Sequence, residues 1–311
     1  MTAAATAGLV DPLATAPAAS LRRDTLASVL RQRSAVVGLA ILGLLVFCAI
    51  FAAQIAPFDP EAGLLNVEPG VQKRAAPCIH LLGCPADKPQ HILGTDGNFR
   101  DVFSRVIFGT RISLTIGFAA IGFAIIVGTM IGAVAGYAGG WLDNVLMRLM
   151  DVILAFPSLL LAIAIVTALG TGYINALYAI GIVSVPIYAR VVRSSVLSAK
   201  ENDYVTASRA LGESTIGILV RRIMPNSVTP LLVQGTLGIG GAVLEIAALA
   251  FVGAVAVGQA EWGSMIALER NQLFSAPHII LAPGLAITLT VLGFNLLGDG
   301  LRDAFDPRLN R

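Results

Sequence analysis

The sequence predicts an all-α integral membrane protein with six transmembrane helices. Three observations predict it. The 311 residues are 56% hydrophobic and only 13% charged, with a mean hydropathy of +0.80; a soluble domain carries about 25% charge, and one core cannot hide this much apolar surface from water. Six apolar runs reach the roughly 20 residues that a helix needs to cross ~30 Å of hydrocarbon. None of the runs alternates in the way a membrane β-strand would, and a spanning helix satisfies its own backbone. The same numbers exclude a disordered chain, a disulfide scaffold and a collagen. A net charge of +2 offers nothing to nucleic acid.

In chain order, residues 1–33 form a tail rich in Ala, Thr and Pro, closed by Arg22, Arg23, Arg31 and Arg33. Those charges follow the tail and precede a full-length apolar run, so the first run reads as a retained anchor and not as a cleaved signal. Residues 34–56 are the first span. Residues 57–111 read as an extracytoplasmic excursion, studded with Pro57, Pro60, Pro69, Pro77, Pro85 and Pro89. Residues 112–301 form a core with spans at 112–137, 145–169, 173–192, 228–257 and 279–297, and an inner loop at 193–226. Residues 302–311 are a C-terminal tail. With both ends inside, Lys73, Arg74, Lys88, Arg100, Arg105, Arg111 and Arg270 lie outside and the other 14 of the 21 basic residues lie inside, as the positive-inside rule favours.

The inner loop carries the densest pattern. Asn202 or Asp203 is placed to cap a helix. Tyr204, Val205, Ala207, Ser208 and Leu211 then share a face at helical spacing. Gly212 suits a C-terminal stop. Ser214 can cap a second short helix bearing Ile216, Leu219, Val220 and Ile223, which Pro225 ends before Asn226 enters the fifth span. This element is either an amphipathic helix resting on the lipid interface or a docking helix for a groove in a cytosolic partner.

The loop resembles the EAA loop of ATP-binding-cassette importer permeases. Thr206-Ala207-Ser208, three residues, Gly212 and then Ile223-Met224-Pro225-Asn226 keep its register, although Thr206 and Ser208 stand where the signature has Glu and its second Ala. HILGTDGNFRDVFSRVIFGTRISL at 91–114, Trp262-Gly263-Ser264-Met265-Ile266 and FNLLGDGLRDAFDPRL at 294–309 are similar to segments of dipeptide, oligopeptide and nickel permeases, in particular the C-type subunit. The resemblance implies a type I importer in a bacterial inner membrane. It implies a second homologous permease, two cytosolic ATPases that hold ATP and Mg, and an extracytoplasmic solute-binding protein. Tyr204, Val205, Ala207, Ser208, Leu211 and Gly212 would couple this chain to the ATPases. The cargo would be di- or oligopeptides, with nickel or another small solute as the alternative.

No enzyme is expected. Lys73, Lys88 and Lys200 do not follow a glycine, so no phosphate loop exists. Neither H-E-x-x-H nor G-x-S-x-G occurs, and Cys78, His80, Cys84 and His91 match no strong zinc spacing, so neither a cofactor nor a metal is expected on this chain. Cys78 and Cys84, on the side read as oxidising, are expected to form a disulfide. Asp151 and Glu245 are the intramembrane polar candidates. Asp151 is expected near the inner interface beside Arg148 at i−3. Glu245 is expected to contact the bundle or the second permease, with cargo binding or a proton relay in an ion-gradient-driven carrier as alternatives. A membrane scaffold without transport is the remaining reading. Gly128, Gly132 and Gly136 have small-xxx-small spacing, for packing within the chain or between subunits.

Overall fold

The computed structural model describes residues 29–255 and 258–305. The tail with Arg22 and Arg23, the end of the fifth predicted span at Val257, and the last residues of the C-terminal motif lie outside the described residues. All regular structure among them is helical.

Helix α1 (Arg33–Ile50) is followed by a short turn at Ala52–Ile55. Residues 56–101 then run irregularly, with two 3-10 turns (Leu64–Asn66 and His80–Leu82) and two isolated bridges, Cys78 with His91 and Thr95 with Asp101. Helix α2 (Val102–Ala138) begins ten residues before the expected 112. The reason is a cap: the Asp101 carboxylate accepts from the Ser104 amide at 2.7 Å. The excursion therefore ends at 101 and not at 111.

The third apolar run is not a straight span. Helices α3 (Gly140–Leu154) and α4 (Ser158–Leu169) meet at 91°. Pro157 lacks an amide hydrogen and cannot continue the helical ladder of α3, so the chain turns at Ala155–Pro157. Among the described residues five helices are long and apolar enough to cross a membrane, and the bent pair gives a sixth if it counts as one span.

Helix α5 (Tyr173–Lys200) extends past the expected 192, so the first eight residues of the predicted inner loop are helical. Helix α6 (Asp203–Ala210) follows. A turn at Thr215–Gly217 and a π-helical turn at Ile218–Ile223 then run without a break into α7 (Met224–Phe251). Pro225 therefore does not end a helix. It sits in the first turn of α7, where its missing donor costs little, and the wide π turn before it absorbs the ring. Helix α7 stops at Phe251 and not at 257, because Gly253 turns the chain with φ +80°. Helix α8 (Trp262–Glu269) is short, and α9 (Pro277–Phe305) is long.

The centre of the bundle is α2 against α5. Gly128, Gly132 and Gly136 face Tyr188, Ala189, Arg193 and Val196, and a Cβ on Gly128 would lie 2.7 Å from that of Tyr188. The glycine stripe thus serves packing within the chain. Lipid tails are as apolar as leucine, so close van der Waals contact, and not escape from water, holds such helices together. Helix α1 lies on α9, where Ala35, Leu42 and Leu45 are buried.

Candidate coupling surface and outer polar knot

The inner element does not present the single face expected. Val205 and Ser208 turn inward and are buried, while Tyr204, Ala207 and Leu211 point outward, Leu211 being 87% exposed. The split follows from geometry: residues at i and i+3 share a face, and i+1 lies about 100° away. Positions 205 and 208 anchor the helix, and 204, 207 and 211 form the free stripe. Gly212 takes φ +80° with open space around it, the left-handed stop that glycine adopts without strain. Asn202 stands at the N-cap but does not cap. Its amide donates back to the carbonyls of Ser198 and Ala199. Ser214 does cap, accepting from the Gly217 amide at 3.2 Å.

Helix α6 is tied to two of the spans. It follows α5 after two residues, and the Tyr204 hydroxyl accepts from Asn226 Nδ2 at 3.0 Å, reaching the first turn of α7. Around it, Arg193 forks onto Asp143 (2.5 and 2.7 Å), Lys200 Nζ donates to the Gly136 carbonyl and Arg222 pairs with Glu213. Asp151 pairs with Arg190 at 2.6 Å, not with Arg148. A salt bridge across two packed helices has replaced the expected neighbour on one helix. Glu245 lies half-buried on α7 beside the Ser158 hydroxyl at the start of α4; among the described residues it has no basic partner.

The excursion is a knot of buried polar groups. Cys78 and Cys84 are bonded with their Cα atoms 5.4 Å apart, and Leu81 and Leu82 at the tip of that loop are 94% and 80% exposed. His91 is buried with Nδ1 2.9 Å from Asp101 and Nε2 3.1 Å from Glu68, and its ring lies against Phe58. Burial pushes its pKa down, but the two carboxylates outweigh burial and hold it above the usual histidine value. Asp96 accepts from the amides of Asn98 and Arg100 and from the Arg100 guanidinium at 2.7 Å, with Arg105 at 3.7 Å.

The knot reaches across the chain. Arg105 donates to the carbonyls of Pro60 and Gln259, and Arg100 donates to that of Gly258. Glu269, at the end of α8, accepts from Arg74 at 2.8 Å and from the Gly97 amide at 2.7 Å. His278 Nε2 lies 3.1 Å from the Ala75 carbonyl. At the other end of α8 the Glu261 carboxylate caps the helix through the Gly263 and Ser264 amides, and Trp262 donates to the Val106 carbonyl. Burial raises the Glu261 pKa against those two amides. Among the described residues no three His, Cys, Asp or Glu side chains converge as metal ligands.

Of the residues in this knot the sequence assigns a bond only to the cysteines; His91 is a rejected zinc ligand, Arg74, Arg100 and Arg105 are outer basic residues, and 91–114 is a stretch of family resemblance. The signal for the others was present: Thr95, Asp96, Arg100, Asp101, Ser104 and Arg105 crowd into one short stretch of an otherwise apolar chain.

Comparison with known proteins identifies the family. Residues 128–311 match the family described as binding-protein-dependent transport system inner membrane component. Residues 20–77 match the N-terminal TM domain of oligopeptide transport permease C. The chain is 43% identical to a dipeptide transport system permease protein DppC of Alkalihalophilus pseudofirmus, over 92% of this chain and 90% of that one. It is 43% identical to a di/tripeptide transport system permease protein DppC of Pseudomonas aeruginosa, over 89% of each. It is 41% identical to a glutathione transport system permease protein GsiD of Escherichia coli, over 90% of this chain and 88% of that one. The chain therefore belongs to the binding-protein-dependent transport system inner membrane components, the permease subunits of ATP-binding-cassette importers.

Proposed function

We propose that this chain is half of the translocation path of a peptide importer. It crosses a bacterial inner membrane six times, with α3 and α4 as one bent crossing and both termini cytoplasmic. It works with a second homologous permease, two cytosolic ATPases holding ATP and Mg, and an extracytoplasmic solute-binding protein. Peptide cargo is supported by the names of the relatives, which transport dipeptides, di/tripeptides or glutathione.

The observation that carries the reading is α6. Its outward stripe of Tyr204, Ala207 and Leu211 fits a helix seated in a groove of the ATPase. Val205, Ser208 and the bond from Asn226 to Tyr204 fasten it to the bundle. When ATP closes the ATPase dimer, α6 moves, and α5 and α7 move with it because both join it within a few residues. The path then opens outward, receives cargo, and reopens inward after hydrolysis.

Gly212→Arg tests this in proteoliposomes holding the whole complex. A side chain at φ +80° with a large charge beside the stripe is expected to cut ATP-driven dipeptide uptake at least tenfold while the permease still folds. Wild-type uptake in this variant would refute the coupling role. Uptake of nickel, and not of dipeptide, by the wild-type complex would refute the cargo.

A further inference from the structure

The outer excursion is not a free loop. Phe58 and Pro60 tie it to the start of α2, and Arg74, Ala75, Gly97 and Arg100 tie it to residues 258–278, the stretch that contains α8. Glu269 is the centre of this clasp. Its carboxylate is 5% exposed, and one oxygen takes the Gly97 amide while the other takes Arg74 Nε, at 2.7 and 2.8 Å. Position 97 has no room for a side chain, because a Cβ there would collide with Glu269 Oε1. The carboxylate is held by two groups of the excursion and sits on the last residue of α8.

Helix α8 has a joint and space. It follows α7 after a linker that opens with Gly253 in the left-handed region, with nothing within 4 Å of where its Cβ would lie. The first turn of α8 packs on α7, Gly263 against the Ala247 backbone, but a cavity of ≈ 320 Å³ lies between the later part of α8 and the end of α7, bounded by Val252, Gly253, Ser264 and Leu268. A second, of ≈ 360 Å³, lies between the same α7 end and Gly170–Thr171 at the end of α4. Close-packed interiors transmit displacement as rigid steps, whereas a helix beside empty space can shift.

We propose that Glu269 is a positioning residue that passes the docking of the solute-binding protein from the excursion to α8. This rests on the importer reading above. A push on the excursion moves Gly97 and Arg74, which carry the Glu269 carboxylate with them. Helix α8 then shifts toward the cavities between α7 and α4, at the mouth of the path.

The test uses the whole complex in proteoliposomes with its binding protein. Three variants are compared: Glu269→Ala, Gly97→Ala and Arg74→Gln. Arg74 is one-third exposed, so its replacement leaves a folded protein even where the others do not. Expected are unchanged ATP hydrolysis without binding protein, unchanged affinity for the binding protein, and at least a fivefold loss of the stimulation given by cargo-loaded binding protein. Glu269→Gln keeps the acceptor for Gly97 and is expected to recover part of that stimulation. Full stimulation in all three variants would overturn the inference and leave the importer reading standing. So would parallel loss of affinity and of unstimulated hydrolysis, which marks a merely structural clasp. Absence of any stimulation in the wild-type complex would overturn both.

Discussion

The two faces of this permease, the proposed inner one at α6 and the proposed outer one at the excursion, use charge in opposite ways. On the inner face both partners of Asp151–Arg190 are half in water, Arg222 is half exposed over a Glu213 that is one-fifth exposed, and Arg193 is one-third exposed where it covers the buried Asp143. In the outer knot Asp96, Arg100, Asp101, Arg105 and His91 are all buried. Exposed pairs contribute about 0–1 kcal/mol each and tolerate rearrangement. A buried charge that loses its partner costs about 3–5 kcal/mol. The inner face is therefore suited to being gripped and displaced. The outer knot is suited to keeping its shape while a partner presses on it.

The sharpest way to break this contrast is Asp96→Ala. It strands the guanidinium of Arg100 and leaves Arg105 short of its nearest carboxylate. A loss of about 3–5 kcal/mol is expected, read as a fall in thermal midpoint of the purified protein in detergent. A change within 0.5 kcal/mol would mean that the knot is not a rigid block.

Next in size is the Cys78–Cys84 bridge. Cys78→Ser with Cys84→Ser is expected to cost about 2–3 kcal/mol, confined to the excursion. Mass measurement after thiol alkylation of unreduced protein is expected to show label on Cys48 alone. Label on all three cysteines would remove the bridge from the outer face.

The histidine gives a pH handle on the same face. The pKa of His91 is raised in the folded state, so its contribution is complete below the ordinary value of about 6.5 and is lost as pH rises through the folded value. The thermal midpoint of the wild type should fall across that rise, and His91→Asn should flatten this part of the curve. An unchanged slope in the variant would assign the dependence to another group.

Smallest is Arg190→Gln on the inner face. It should change stability by less than about 1 kcal/mol, since both partners of that pair are about half exposed. A loss as large as that of Asp96→Ala would erase the distinction between the faces.

Much of this was legible in the residues. The polar crowding at 91–105, the two cysteines and the Asn202–Asn226 element stood out against an apolar chain. The roles of Glu269, Glu261 and Arg74 were not legible, because each acts on a group far away in sequence. Glu269 meets Gly97 across 172 positions and Arg74 across 195. Periodicity reports which way a residue faces along its own helix and says nothing of what is packed opposite. The same limit misassigned the partner of Asp151 and merged the two faces of α6.

The sequence by itself determined the helical class, the apolar runs and the stop at Gly212. Lipid offers no hydrogen bonds to a backbone, so an apolar run of sufficient length has one stable form, and a residue without Cβ has one clear use at the end of a helix. Tertiary structure alone decided the elbow of about a right angle at Pro157, the unbroken passage of α7 through Pro225 and every salt bridge between helices. These depend on how neighbouring helices pack, and a proline bends or fits a helix according to what surrounds it.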